Sequence, residues 1–172
     1  MKAVSRWPVF ALLCWLAVTV PAQSQLAPEL ELTDTQGRLI RLSDYRGSVV
    51  LLNFWATWCA PCLAEIPDLT KWQRDYRRQG LRIIGITYPP QELAEVRRFS
   101  RTHKLNYPVA LGAQQTKELF TSDETLPFTI VIDRRGFIRA TIQGTLYADE
   151  FAAQVIPLLS LRSGRKAGGS QK

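Results

Sequence analysis

Residues 49–54, Val-Val-Leu-Leu-Asn-Phe, are almost wholly apolar, and shortly after them the chain reads Cys59-Ala60-Pro61-Cys62. A short run with apolar residues at both alternating positions suits a strand covered on both faces, as in parallel sheets. The period then changes. Ile66, Leu69, Trp72 and Tyr76 recur at helical spacing, while Arg74, Asp75, Arg77 and Arg78 fall on the opposite side. The pattern predicts a helix over 59–79, stopped by Gly80. A buried strand that feeds a helix through a short loop needs a further strand beside it, and residues 81–87 supply one. The two cysteines sit at the mouth of that helix.

The remaining elements complete the sheet. Residues 29–33 and 39–42 flank Asp34-Thr35-Gln36-Gly37, a hairpin signal, and residues 43–47 form a polar connection. A helix is expected over 92–103 with Leu93, Val96 and Phe99 inward, then a short strand at 107–111 and a helical fragment at 116–120. Strands over 128–133 and 137–143 are joined at Arg134-Arg135-Gly136. A closing helix over 147–161 turns Phe151, Val155 and Leu158 inward. The order predicts an α/β fold with a central mixed sheet flanked by helices, an antiparallel edge and an N-terminal β-hairpin extension.

The chain divides into residues 1–24, a domain over 25–161 and a basic, disordered tail at 162–172. Lys2 and Arg6 precede an apolar stretch at 9–20, broken by Pro21 and followed by the small residues Ala22 and Ser24. That is the layout of a signal peptide cleaved near Ala22 to Ser24. Retention as a short membrane anchor is the other outcome, though the stretch is shorter than the roughly 20 residues a span needs. Cys14 reads as an apolar residue of this segment. The formal net charge is +7, some of it at the two ends. The body carries no basic patch interleaved with aromatics, so nucleic acid is not an expected partner.

Of three cysteines, only Cys59 and Cys62 lie outside the leader, which suits an oxidising compartment. At a helix mouth, backbone N–H groups and the helix dipole favour an anionic first sulfur. Cys59 is therefore the expected nucleophile, and Cys62, one turn in, the resolving thiol. Pro61 suits a first turn, where a missing N–H costs nothing. Zinc would want four ligands, and beyond this pair the domain offers the lone His103, expected in solvent. No metal or other cofactor is expected. A purely structural disulfide leaves the strand-to-helix setting unexplained.

Asn53-Phe54-Trp55-Ala56-Thr57-Trp58-Cys59-Ala60-Pro61-Cys62, followed by Glu65-Ile66-Pro67, resembles the TlpA/ResA-like branch of the thioredoxin superfamily. The likeness spans residues 28–160 and implies a thioredoxin fold. Pro67 falls where that family kinks its active-site helix, and Leu126-Pro127 at its cis-proline, packed against Cys59. Cytosolic thioredoxins carry a buried Asp where this chain has Asn53. In the resembled branch a Glu at the position of Glu65 handles protons beside the cysteines. A partly buried carboxylate there is expected to have a raised pKa and to accept the Cys62 proton. Trp58 would flank the reactive thiol, whereas Trp55 could be plain core. Thr125-Leu126-Pro127-Phe128-Thr129 departs from the more usual Gly-Val-Pro-Thr-Thr, with Phe128 a bulkier residue beside the site.

The resemblance implies a thiol–disulfide oxidoreductase of the cell envelope, either periplasmic or anchored in the inner membrane facing the periplasm. Its substrate would be an exported protein with a disulfide, such as apocytochrome c. Its electrons would come from a membrane thiol carrier of the CcdA/DsbD type, and it would act as a monomer. A general disulfide oxidase or isomerase would use the same residues. A peroxiredoxin-like peroxidase needs a Thr where Ala56 stands, and a copper chaperone needs one more residue between its cysteines.

Overall fold

The computed structural model describes residues 25–121, 123 and 125–160, so the segment at 1–24 and the tail at 162–172 lie outside the described residues. Strands β1 (Glu31–Thr33) and β2 (Leu39–Arg41) form the N-terminal hairpin. A 3-10 turn over Leu42–Tyr45 leads into β3 (Val49–Trp55), every residue of which is buried. Then come α1 (Ala60–Tyr76), β4 (Leu81–Thr87), α2 (Leu93–Thr102), β5 (Val109–Leu111) and α3 (Gln114–Glu118). Strands β6 (Phe128–Ile132) and β7 (Ile138–Gln143) and helices α4 (Ala148–Gln154) and α5 (Ile156–Ser160) complete the chain.

The main sheet has the order β5-β4-β3-β6-β7, with β3, β4 and β5 parallel and β6 and β7 antiparallel. Alternation along β3 decides what each face receives. Val49, Leu51 and Trp55 join the core under α1, α2, α4 and α5, which contribute Leu69, Trp72, Val96, Phe151 and Leu159. Val50, Leu52 and Phe54 face the other way, toward Leu30, Ile40 and Leu42 of the N-terminal segment. Asn53 belongs to the first set by parity. A polar residue on this central strand is thereby turned toward the cysteine-bearing helix.

Several boundaries and faces differ from expectation. The closing helix is two helices, because Pro157 has no N–H to carry the ladder across Val155. The break rotates the next turn, so that Leu159 is buried and Leu158 only partly so. Leu93 opens α2 and is 41% exposed, since the core under this helix begins at Val96. Phe128 does not lie beside the cysteines. It stacks on Phe54, centroids 4.3 Å apart, in the core of the opposite face. Its neighbour Thr129 is the residue that parity turns toward α1.

Polar side chains close gaps in the backbone ladder. Gln73, on the sheet-facing side of α1, accepts the Ile83 N–H at 2.7 Å. Arg134 donates to the carbonyls of Gly47, Gln79 and Leu159, tying the turn before β7 to three other segments. Asp133 accepts N–H groups from Arg135 and Phe137 and pairs with the Arg139 guanidinium.

Candidate functional site

The carboxyl end of β3 delivers the chain to α1 through Ala56, Thr57 and Trp58. Cys59 occupies the N-cap of α1 with extended backbone, and its Sγ accepts the Cys62 N–H at 3.3 Å. The two sulfurs are joined as a disulfide, with Cα atoms 5.2 Å apart. Cys59 is 5% exposed and Cys62 fully buried, as their places at the mouth and one turn inside the helix require. Pro61 lies in the first turn and interrupts nothing.

The loop is fixed from the α2 side. The Thr57 N–H donates to Gln91 Oε1 at 3.2 Å, and the Thr57 hydroxyl lies 2.8 Å from that oxygen and 2.5 Å from Glu95 Oε1. Trp58, next in sequence, stands 66% exposed on this anchored base. A groove of about 500 Å³ runs beside it, lined by Trp58, Cys59, Ala60, Pro61, Tyr88, Pro89 and Leu126. Both prolines that close this end of the molecule, Pro89 and Pro127, follow cis peptide bonds. Leu126 reaches the groove, whereas Pro127 is buried behind it and its carbonyl accepts the Gly144 N–H at 2.8 Å. Tyr88 and Pro89 carried no recognisable motif. They become groove residues because β4 ends there, beside the end of β3. Tyr88 is held from below by a hydrogen bond with Gln114 and by the Lys117 ammonium 4.8 Å from its ring centre.

Glu65 is buried, not partly exposed, and is 1% accessible. It lies three residues beyond Cys62 on the sheet-facing side of α1. Oε1 accepts from Asn53 Nδ2 at 2.7 Å, and Oε2 from the Leu146 N–H at 2.9 Å. Asn53 Nδ2 also donates to Thr129 Oγ1 at 3.1 Å. Burial pushes the Glu65 carboxyl up to about 7, and the Leu146 and Asn53 donors only partly offset it. From the sequence, Glu65 was the expected proton acceptor and Asn53 only the counterpart of a buried Asp in cytosolic thioredoxins. The structure joins them in one hydrogen-bonded unit and adds Thr129 and the Leu146 N–H, from segments 76 and 81 residues away.

His103 is exposed and stacks on Phe99, centroids 4.0 Å apart. Among the described residues no group of three or more His, Cys, Asp or Glu side chains is arranged to hold a metal ion. The chemistry available at this site is thiol–disulfide exchange, with a buried carboxyl one helical turn beyond Cys62 on α1.

A family model described as the AhpC/TSA family matches residues 24–141. Among curated proteins, a thiol-disulfide oxidoreductase ResA from Geobacillus kaustophilus is 35% identical over 132 residues, 77% of this chain and 75% of that one. The chain is a ResA-like member of the AhpC/TSA family, with the thioredoxin fold. It is a thiol–disulfide oxidoreductase with the Cys59–Cys62 pair as its redox centre. Solved structures agree in fold. A thioredoxin-family thiol:disulfide interchange protein from Chlorobium tepidum TLS superimposes with a TM-score of 0.74 at 26% identity, over 80% of this chain and 98% of that one. A secreted thiol-disulfide isomerase from Corynebacterium glutamicum gives 0.72 at 26% identity, over 80% and 86% of the two chains.

Proposed function

We propose that this ResA-like protein reduces disulfides of exported proteins in the cell envelope, with apocytochrome c as its substrate. The observation that carries the reading is the groove against Cys59. A haem-attachment segment reads C-x-x-C-H, and an extended peptide of that kind fits an apolar trough lined by Cys59 better than a folded domain does. Cys59 attacks a substrate sulfur as thiolate and forms a mixed disulfide, displacing the other substrate sulfur. Cys62 then loses its proton to Glu65 and attacks Cys59 Sγ. The second substrate sulfur leaves as a thiolate, and Cys59–Cys62 is again a disulfide. Leu126 and Trp58 shape the docking surface, and the buried Pro127 backs it. A membrane thiol carrier of the CcdA/DsbD type restores the dithiol, and the protein acts as a monomer.

Location belongs to the same reading. Lys2, Arg6 and the apolar stretch at 9–20 support export, by a cleaved leader or a short anchor. Among the described residues no helix is long and apolar enough to cross a membrane.

The midpoint potential tests the direction of electron flow. A reductant falls near −270 mV, at about the thioredoxin value, and an oxidase or isomerase at about −180 to −120 mV. A value in the second range would replace reduction with oxidation or isomerisation, as in the Corynebacterium neighbour. Roles within the pair are tested by alkylation of the reduced protein. Cys59 reacts first near neutral pH, Cys62→Ser accumulates mixed disulfides and Cys59→Ser does not. Faster labelling of Cys62 would reverse the assignment. The family description also raises a peroxidase, but the position that would need a Thr hydroxyl is the buried Ala56. Consumption of hydroperoxide at rates matching disulfide reduction would favour it.

A further inference from the structure

Asn53 and Thr129 face each other across the β3–β6 register, and both are buried along with Glu65. The two N–H bonds of Asn53 Nδ2 serve Glu65 Oε1 at 2.7 Å and Thr129 Oγ1 at 3.1 Å. The second carboxylate oxygen takes the Leu146 N–H at 2.9 Å. Every one of these contacts suits an ionised Glu65. Once Glu65 takes a proton, its O–H is a donor that needs an acceptor. The Leu146 N–H is fixed by backbone, so the proton has to sit on Oε1, where it meets Asn53 Nδ2, another donor. Two donors facing each other away from water leave one unmet, at a cost of about 1–3 kcal/mol.

The amide has a remedy within itself. Half a turn about its last torsion exchanges Nδ2 for Oδ1, which is of nearly the same size and accepts hydrogen bonds. Oδ1 can then take the Glu65 O–H, and the Thr129 hydroxyl can change from acceptor to donor toward the same oxygen. We infer that Asn53 is the positioning residue that lets Glu65 change protonation state while buried, its amide turning over between a donor setting for the carboxylate and an acceptor setting for the acid. No covalent bond changes and no proton passes to Asn53. The proton on Glu65 is the one released by Cys62, so the inference rests on the reading of Glu65 as proton acceptor.

A charged or apolar side chain at this position would not serve both states. Asp at position 53 would set a second carboxylate against the first, and Leu, of similar volume, would serve neither state. The other ionisable side chain coupled to Glu65 is Tyr107 from the segment before β5, while Cys59 and Cys62 are joined as the disulfide and acquire titrating thiols only on reduction. Burial, and then the Glu65 charge, hold the Tyr107 phenol above its ordinary value and therefore protonated. Asn53 from β3, Thr129 from β6 and the N–H of Leu146 before α4 are the neutral partners.

The test follows the Glu65 carboxyl band by pH-difference infrared spectroscopy on the full chain, with Glu65→Gln assigning the band. Turn-over predicts that Asn53→Leu leaves the titration midpoint close to wild type, because acid and anion each lose one partner. A fixed Asn53 donor serves the anion only, and its loss would raise the midpoint by about one pH unit or more. A rise of that size overturns the inference and leaves the Glu65 reading intact. A wild-type band that does not titrate between about pH 5 and 9 overturns both. If Asn53→Leu does not fold, Glu65→Gln decides by NMR. Leu146 holds the oxygen of the new amide, whose NH2 then faces Asn53. The contact between the Asn53 side-chain amide protons and Thr129, present in ionised wild type, must disappear. Its persistence in Glu65→Gln overturns the inference.

Discussion

Glu65 and Asp133 are both buried carboxylates that accept backbone N–H bonds, yet they end in opposite states. Burial alone would raise Asp133. The Phe137 N–H, the Arg139 guanidinium and the Arg135 N–H outweigh it and hold the group below the usual carboxylate range. Glu65 has an amide and one backbone N–H but no cation among the described residues, and it rises to about 7. At Glu65 two hydrogen bonds soften a deep desolvation without cancelling it, whereas at Asp133 the turn N–H bonds and the guanidinium together outweigh a shallower burial. The β6–β7 turn thus has a fixed anion that organises backbone. The redox site has a carboxyl able to hold or release a proton near neutral pH, which suits exchange between two sulfurs.

The largest expected effect lies on the Glu65 side. The unfolded chain loses its Glu65 proton near 4.5 and the folded protein near 7. Folded stability therefore falls across this window as pH rises, relative to a protein with no titrating group there. Glu65→Gln removes the titration, so between pH 5 and 8 the variant should gain on wild type by on the order of 3 kcal/mol. Urea titrations of the oxidised forms at several pH values measure this. A constant difference between the two proteins would mean that Glu65 does not titrate in this window. The same substitution should flatten the pH dependence of Cys62 reactivity.

Asp133→Ala should act next, costing about 2 kcal/mol at neutral pH by leaving the turn donors and Arg139 without their acceptor. Its thiol pH profile should match wild type, because Asp133 lies in the turn away from the cysteines. A changed profile would show that the two carboxylates are not independent. Arg139→Ala should be the mildest, about 1 kcal/mol, since Arg139 is partly exposed. It sharpens the contrast directly. Asp133 contributes stability that is present at neutral pH and lost as pH falls through its lowered value. Without the guanidinium that value rises, so acid unfolding should begin at higher pH. An unchanged acid transition would assign the low value to the turn N–H bonds alone.

Much of this was legible along the chain because the signals are local. The apolar run before Cys59, the i, i+3, i+4 spacing after it and Gly80 placed β3, α1 and the helix stop, and Gly80 does adopt a left-handed φ of 93°. The hairpin around Asp34–Gly37 and the antiparallel edge followed from the same kind of pattern, whereas the strand order β5-β4-β3-β6-β7 came only with the fold. Leu93 and Phe128 were misjudged for one reason. Periodicity says which residues share a face, but not where a helix leaves the core, breaks its phase or turns a given face toward the site.

Local signals were enough to place the cysteine pair at a helix mouth, and the family resemblance singled out Glu65 on the same helix. Only tertiary structure decided what that acid touches. Asn53, Thr129 and Leu146 come from two strands and a loop, and the β3–β6 register with the entry to α4 sets them around one carboxyl. The groove is likewise assembled from the ends of α1 and β4 and from Leu126. A carboxylate's state depends on the sum of its desolvation and its donors. That sum is made across long sequence separations, so it exists only once the chain has folded.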